Sequence, residues 1–378
     1  MTTNNRFSIQ AGKRLTVNDG DRFVVYTAPS PASTFYAFMP GTYSGHFSGF
    51  VDQNGDLYMS GDNSTYGPFG NNSTSNTNSP VQAMSGITSI KGAAHGRYHS
   101  IVVLDDGSMY GAGRNQVGQL GDGSTATRST PSSITTSGVV ESVSCGGYFS
   151  HCLKSDGSVW GWGQGAWGML GNGGTAHKST PTAMIGGHTF VKLDSGGFVP
   201  IMIRDDGTLW SCGYNDVGEV GDGTTTHRSS PVSVLGGGSF IDVGGGGSYH
   251  SAALRSDNTV WAWGKNASGQ LGDNTKSNRS SPVSVLISNV VKVRCGDNHM
   301  LMLKDDGTVW ECGATSGTSS PQSVAGAHSF IDITTTSGTN FGLKEDGSVW
   351  GWREGSIGEI GEGANSDRAS PVSTYYSW

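Results

Sequence analysis

Charge is scarce in this chain. Asp, Glu, Lys and Arg make up 14% of its 378 residues, and Lys plus Arg total only 23. The formal charge is −7 and no basic block appears. A phosphate-backbone contact needs clustered cations, so no nucleic-acid partner is expected. No apolar run approaches the ~18 residues that a membrane span needs, so no membrane insertion is expected. The opening stretch, MTTNNRFSIQ, lacks the charged and apolar regions of a signal peptide. Such a protein stays where it is made, or leaves by lysis or a signal-free route. Cysteine is also sparse: Cys145, Cys152, Cys212, Cys295 and Cys312, an odd number with no CxxC. Cys145 and Cys295 share one place in a repeat ("SCGG", "RCGD"), and Cys212 and Cys312 share another ("WSCG", "WECG"). Repetition inside strands marks small buried packing residues rather than a metal or redox centre.

Glycine is the residue present in excess, with 61 copies. Without a collagen period, that many glycines signal tight turns between short strands. The stretch "DDGTVWECG" (Asp305–Gly313) has near-copies in "SDGSVWGWG", "DDGTLWSCG" and "EDGSVWGWR". Anchored on the turn residue, the copies fall at Gly55, Gly107, Gly157, Gly207, Asn258, Gly307 and Gly347. The spacings are 52, 50, 50, 51, 49 and 40 residues. Each copy has the same order: a glycine-led turn, an apolar strand, an Asp-Gly hairpin, and an alternating strand such as "VWGWG". A long glycine-rich segment, an "SPVSV" edge strand and a valine-rich strand follow. Four short strands in each of seven ~50-residue units predict an all-β, seven-bladed β-propeller with four-stranded antiparallel blades. In this reading the paired tryptophans (Trp160 with Trp162, Trp261 with Trp263, Trp350 with Trp352) pack between blades.

The grammar of Gly247–Val285, "GSYHSAALRSDNTVWAWGKNASGQLGDNTKSNRSSPVSV", resembles the regulator-of-chromosome-condensation repeat. The resemblance runs from about Tyr36 to the C-terminus and implies the same seven-bladed ring. Copy six departs from it, because "ECGATSGTSSPQSV" has no "GQLGDG" segment. Copy one is weak, with "LYMSG" in place of "VWGWG". Copy seven ends at "SPVSTYYSW", short of its last strand. The apolar "TFYAFMPG" (residues 34–41) is therefore expected to supply the last strand of blade seven and so close the ring. The propeller then spans residues 34–378. Residues 1–33 form a separate arm, a hairpin around Asp19-Gly20 followed by the linker "TAPSPAS".

Motifs for chemistry are thin. "GQGAWG" (Gly163–Gly168) matches a dinucleotide fingerprint, but sister copies fill its slot with "GRNQVG" and "GKNASG", and no βαβ unit follows. His99, His250 and His299 recur at one position that other copies fill with Phe47, Phe149, Val199 and Thr339, so they are expected to be hydrogen-bonded structural residues. Asn63, Asn71, Asn72, Asn266 and Asn278 match a glycosylation sequon without any sign of a secretory route. No metal, cofactor or catalytic residue is expected. The residue before the recurring histidine position is His46, Tyr98, Tyr148, Phe198, Tyr249, Asn298 and Gly338 in successive copies, with Arg97 and Asp297 just ahead in two of them. Sevenfold geometry places His46, Arg97, Tyr98, Tyr148, Phe198, Tyr249, Asp297 and Asn298 around one mouth of the ring. This is a candidate surface for binding protein or carbohydrate.

The expected function is a non-enzymatic binding or structural module. Its bare, Ser/Thr/Asn/Gly-rich character suggests an exposed component of a bacteriophage virion, in the head or the tail. There the arm would dock on other virion proteins and the propeller face would meet a host surface protein or glycan. Two alternatives are a soluble propeller that inhibits or regulates an enzyme, and an exchange-factor-like regulator of a GTPase; family members include both kinds. A cytoplasmic or signal-free secreted location is the alternative to the virion.

Overall fold

The structure, a computed structural model, describes residues 35–39, 46–245, 247–314, 316–326 and 329–375. The expected arm and linker, residues 1–33, lie outside the described residues. The fold is a seven-bladed β-propeller of seven four-stranded antiparallel sheets. Blade one comprises Phe35–Phe38, Phe47–Asp52, Leu57–Gly61 and Thr77–Gln82. Blade two runs from Ile90–His95 to Arg128–Ile134, blade three from Val140–Cys145 to Lys178–Ala183, and blade four from Phe190–Ser195 to Arg228–Ser233. Blades five, six and seven start at Phe240, Val290 and Phe330, and end at Ser284, Ser323 and Ser373.

The same local chemistry builds each hairpin. In blade three Gly157 takes φ +79°, which only glycine adopts at little cost. Asp156 accepts from the backbone N–H and hydroxyl of Ser158, at 2.9 and 2.6 Å. The Ser158 hydroxyl in turn accepts from the Trp160 indole at 3.2 Å. Asn258 holds the glycine place in blade five at φ +64°, as asparagine can. The alternating strand then buries one face, and Trp162, Trp263 and Trp352 are wholly buried between blades. The first tryptophan of each pair differs from expectation. Trp160, Trp261 and Trp350 are half-buried and capped by cations: Lys154, Arg255 and Lys344 lie 3.5, 3.9 and 3.7 Å from their ring centres.

The sheets do not coincide with the sequence repeats. The valine-rich strand that ends each repeat pairs with the first strand of the following one. The closing strand is therefore corrected. Phe35–Phe38 pairs with Phe47–Asp52 as the first strand of blade one, and blade seven is complete with its own four strands. Closure rests on side-by-side contact. The Ser48 hydroxyl donates to the Glu359 carbonyl at 2.6 Å, the Gly363 N–H to the Asn78 carbonyl at 2.8 Å, and Phe50 meets Phe341 edge-on at 5.2 Å. First strands of successive blades pack against one another and carry charges that bridge them. Lys192 and Arg294 both pair with Asp242, at 2.5 and 3.0 Å, and Lys292 pairs with Asp332.

Candidate functional site

One face of the ring is built from two kinds of segment: the turn between first and second strands, and the long connection between third and fourth. A backbone bond ties them within each blade. Arg114 N donates to Tyr98 O at 2.8 Å, Lys265 N to Tyr249 O at 2.7 Å, and Ala314 N to Asn298 O at 2.8 Å. Residues far apart in sequence thus become neighbours at the mouth.

The eight expected residues separate into three groups. Across blades one to three, Arg97 Nη1 donates to the Tyr148 hydroxyl at 2.8 Å, and the Arg97 guanidinium lies 5.0 Å from the Tyr98 ring centre. Arg114 sits over three tyrosines at once: Tyr66 at 5.3, Tyr98 at 5.8 and Tyr148 at 5.1 Å. Across blades three to five, Phe198 and Tyr249 approach to 5.3 Å, and Tyr214 lies 5.8 Å from each. Phe198 is only 8% exposed, so it forms the floor of this cluster rather than an open ring. The outer surface belongs to Trp167, 39% exposed, whose ring meets Phe198 and Tyr214 edge-on. Trp167 has φ +57°, a left-handed conformation that costs a bulky residue on the order of 1 kcal/mol or more. Lys265 lies over Tyr249 at 5.2 Å.

The third group, His46, Asp297 and Asn298, lines a cleft of about 560 Å³ across blades six, seven and one, together with Arg353, Glu354 and Ala369. Its electrostatics are acidic. The Asp297 carboxylate accepts from the Ser248 hydroxyl at 2.9 Å. His46 is held above its usual pKa chiefly by its bond to Glu359, 3.6 Å away. Glu354 is pushed up by burial and then by the charges of Glu359 and Asp367.

The sequence reading did not include Tyr66, Arg114, Trp167, Tyr214 and Lys265. Four of them could be found by aligning the long connections. Arg114, Tyr214 and Lys265 stand at one repeat position, and Trp167 at another occupied by Val117 and Val217. Tyr66 sits where copy one departs from register.

His99 Nε2 lies 2.9 Å from the Ser150 hydroxyl, a pair that elsewhere would suggest a nucleophile and base. Both are wholly buried between blades, and desolvation lowers the His99 pKa to about 3, so no substrate reaches them. His299 is buried likewise, against Asn340 at 2.8 Å and Thr335 at 3.1 Å. His250 is buried beside His299 without a side-chain bond of normal geometry. All five cysteines are buried thiols outside any disulfide. Asn63 and Asn266, two sequon residues, are fully buried, with their side-chain nitrogens donating inside the connection. "GQGAWG" forms the start of a long connection with one 3₁₀ turn at Ala166–Gly168. Among the described residues, no group of three His, Cys, Asp or Glu side chains is placed to hold a metal ion. The exposed chemistry of this face is therefore flat aromatic surface, three cations and an acidic cleft.

The sequence pattern of the Regulator of chromosome condensation (RCC1) repeat matches residues 106–153, 156–198, 206–254 and 257–303. A second pattern of the same repeat matches residues 90–119 and 240–270. Together they cover more than half of the chain. The mouse "Probable E3 ubiquitin-protein ligase HERC4" is 28% identical over 148 residues, 35% of this chain and 14% of that protein. The dog "X-linked retinitis pigmentosa GTPase regulator" is 30% identical over 131 residues, 30% of this chain and 13% of that protein. The chain thus spans a small part of these relatives. Among solved structures, Prp20p of Saccharomyces cerevisiae superposes with a TM-score of 0.72 at 20% identity, covering 90% of this chain and 87% of Prp20p. The chain belongs to the RCC1 repeat family.

Proposed function

We infer that this protein is a non-enzymatic binding module whose aromatic and cationic mouth takes hold of a protein partner. The observation that carries this reading is the arrangement of Tyr66, Arg97, Tyr98, Arg114 and Tyr148 beside Trp167, Tyr214 and Tyr249 on one face. Tyr, Trp and Arg supply most of the energy of protein interfaces, because each buries a large rigid surface and still offers a polar group. Here they stand on a scaffold of paired strands, so little order has to be gained on binding. Prp20p, a propeller of similar fold, is described for its binding to Gsp1p and histones. That kind of use, a ring face against another protein, suits the present surface. The virion placement suggested by composition gains nothing from these likenesses.

The test is a comparative pull-down from the native source. Full-length protein serves as one bait, and a Tyr98→Ala, Tyr148→Ala, Tyr249→Ala variant as the other. All three rings stand at the mouth, so the melting temperature should change by only a few degrees. A partner retained at near-unit stoichiometry by the native bait and lost at least tenfold from the variant supports the reading. Equal retention removes it. A second reading, a GTPase regulator, draws on the relative of that description. Faster nucleotide release from a small GTPase on adding this protein would favour it.

A further inference from the structure

Six of the seven blades send their long connection across to the outer strand of the next blade. Asn72 N donates to Ser129 O, Gly123 N to Ser179 O, Gly173 N to Ser229 O, Gly223 N to Ser280 O, Asn274 N to Ser319 O and Gly363 N to Asn78 O, all at 2.8–2.9 Å. Blade six cannot. Between Gly313 and Thr318 it has only residues 314–317, where blade five has residues 265–278. The acidic cleft opens at this place, and Ala369, the counterpart of Ser179 and Ser229, lines it.

The shortened connection also strands two donors. At three of the six other interfaces, a carbonyl of the incoming connection accepts from two buried side chains. At one of them the Glu359 carbonyl accepts from Ser48 and Ser60. The Gln119 carbonyl accepts from Trp162 Nε1 at 2.9 Å and Ser150 Oγ at 3.0 Å. The Glu219 carbonyl accepts from Trp263 Nε1 at 2.8 Å and Ser251 Oγ at 3.4 Å. Their counterparts in blade seven are Trp352 and Asn340. Both are 0% exposed, and neither Trp352 Nε1 nor Asn340 Nδ2 has a hydrogen-bond partner among the described residues. A buried donor without an acceptor costs about 1–3 kcal/mol.

Arg353, next to Trp352 in the chain, lines the cleft at this interface. It stands where blades one to six carry glycine, at φ +83°. In blades three and six a β-carbon on Gly163 or Gly313 would first meet the Tyr148 or Asn298 carbonyl of its own blade, and then the Cα of the incoming Gln119 or Gln270 at 3.1 Å. In blade seven, where no connection arrives from blade six to add the second of these contacts, the place is held by an arginine that pairs with Glu311. Even so, Arg353 Nε and Glu311 Oε2 have no hydrogen-bond partner among the described residues.

We propose that the seat between blades six and seven receives a glycine-containing loop of a partner protein, whose backbone carbonyl accepts from Trp352 and Asn340 as the Arg353 side chain swings aside. The occupant's chemistry comes from the six sister interfaces, each of which holds such a loop. The site does not depend on the aromatic sector, and its test leaves those residues untouched. The probe is a synthetic peptide with the sequence of Lys265–Asn278, titrated into the full-length protein and its Arg353→Gly variant by calorimetry. The variant should bind at least tenfold more tightly than the native protein. Adding Trp352→Phe to the variant should weaken binding about tenfold. A peptide with Gly269 and Gly272 replaced by alanine should not bind. In a second arm, residues 314–317 are replaced by the sequence of 265–278 in the Arg353→Gly background. That protein should melt higher than its parent and no longer respond to the peptide. No binding to either native or Arg353→Gly protein, or equal binding of the alanine peptide, overturns the proposal.

Discussion

At the scale of single residues, repeats provide internal controls, because sister positions show what a site accepts. Glu219 is an example. Its counterparts are Gln119 and Gln270, whose Oε1 atoms accept from Val117 N at 3.1 Å and Ser268 N at 2.9 Å. Glu219 makes the same bond to Val217 N at 2.9 Å, and in all three residues the second polar atom is buried without a partner among the described residues, an amide nitrogen in the glutamines and a carboxylate oxygen in Glu219. Burial raises its pKa to about 7. An acid whose folded pKa is raised loses stability as pH climbs from the unfolded value toward the folded one. The penalty therefore appears above about pH 4.3 and is complete above about pH 7. Glu219→Gln is expected to add on the order of 1–3 kcal/mol at pH 8 and nothing near pH 4, read from urea unfolding at both pH values. The cysteines give a second expectation. Burial holds the Cys145 and Cys152 thiols up at about 12, and the other three are raised too. None should react with a thiol reagent in the native protein, and all five should react together on unfolding. Reaction of one thiol in the folded state would contradict the packing described.

At the scale of elements, the long connections of blades one, two, four and five are each organised by one buried asparagine, Asn63, Asn115, Asn215 or Asn266. Asn215 Oδ1 accepts from Val220 N at 2.9 Å, and its Nδ2 donates to Thr226 O at 3.0 Å and Thr224 O at 3.2 Å. Asn115 and Asn266 repeat the arrangement. Asn215→Ala leaves several backbone groups without partners, and a loss of about 2–3 kcal/mol is expected in chemical denaturation. The tryptophans give a sharper contrast. Trp162→Phe removes a donor from the Gln119 carbonyl and should cost about 1 kcal/mol more than Trp352→Phe, which removes a donor with nothing to lose. Equal losses would mean that the two interfaces are alike. Hairpins, turn glycines and the strand count were legible in the sequence, because positive φ and period-two alternation leave marks within a few residues. The blade boundary was not. The valine-rich strand follows the proline strand directly in sequence, and nothing local says that the chain has moved to the next sheet. The bonds that join Trp162 to Gln119, or Arg97 to Tyr148, link residues about one repeat apart, so no local pattern reveals them. The missing "GQLGDG" of copy six could be read, but the two donors it leaves unpaired could not.

At the scale of the whole molecule, the ring holds because every blade covers its neighbour, and that cover buries imidazoles. His95, His99, His151, His250 and His299 are at most 2% exposed. Desolvation lowers their pKa values to about 4, 3, 3, 3 and 4. Between those values and about 6.5 the unfolded chain binds more protons than the folded one, so stability rises with pH across this window. It is fully present above about pH 6.5 and drains away below it, by up to about 1.4 kcal/mol per pH unit for each imidazole. The acids Asp194, Glu219, Glu311 and Glu354 and the ion-paired His46, whose pKa values are raised, act in the opposite sense and offset part of this slope. Acid should therefore open the ring well above the range in which its carboxylates protonate. Blades one and three show how to test this, since Phe47 and Phe149 fill the histidine place and are wholly buried there. Replacing His99, His250 and His299 together by phenylalanine should leave stability at pH 7.5 within a few kcal/mol, since the bonds of His99 to Ser150 and His299 to Asn340 are lost. It should make the fall between pH 7 and pH 5 clearly shallower, as three of the five buried imidazoles are gone. Parallel curves for native and variant protein would place the acid sensitivity elsewhere, in the charges that bridge the first strands around Asp242.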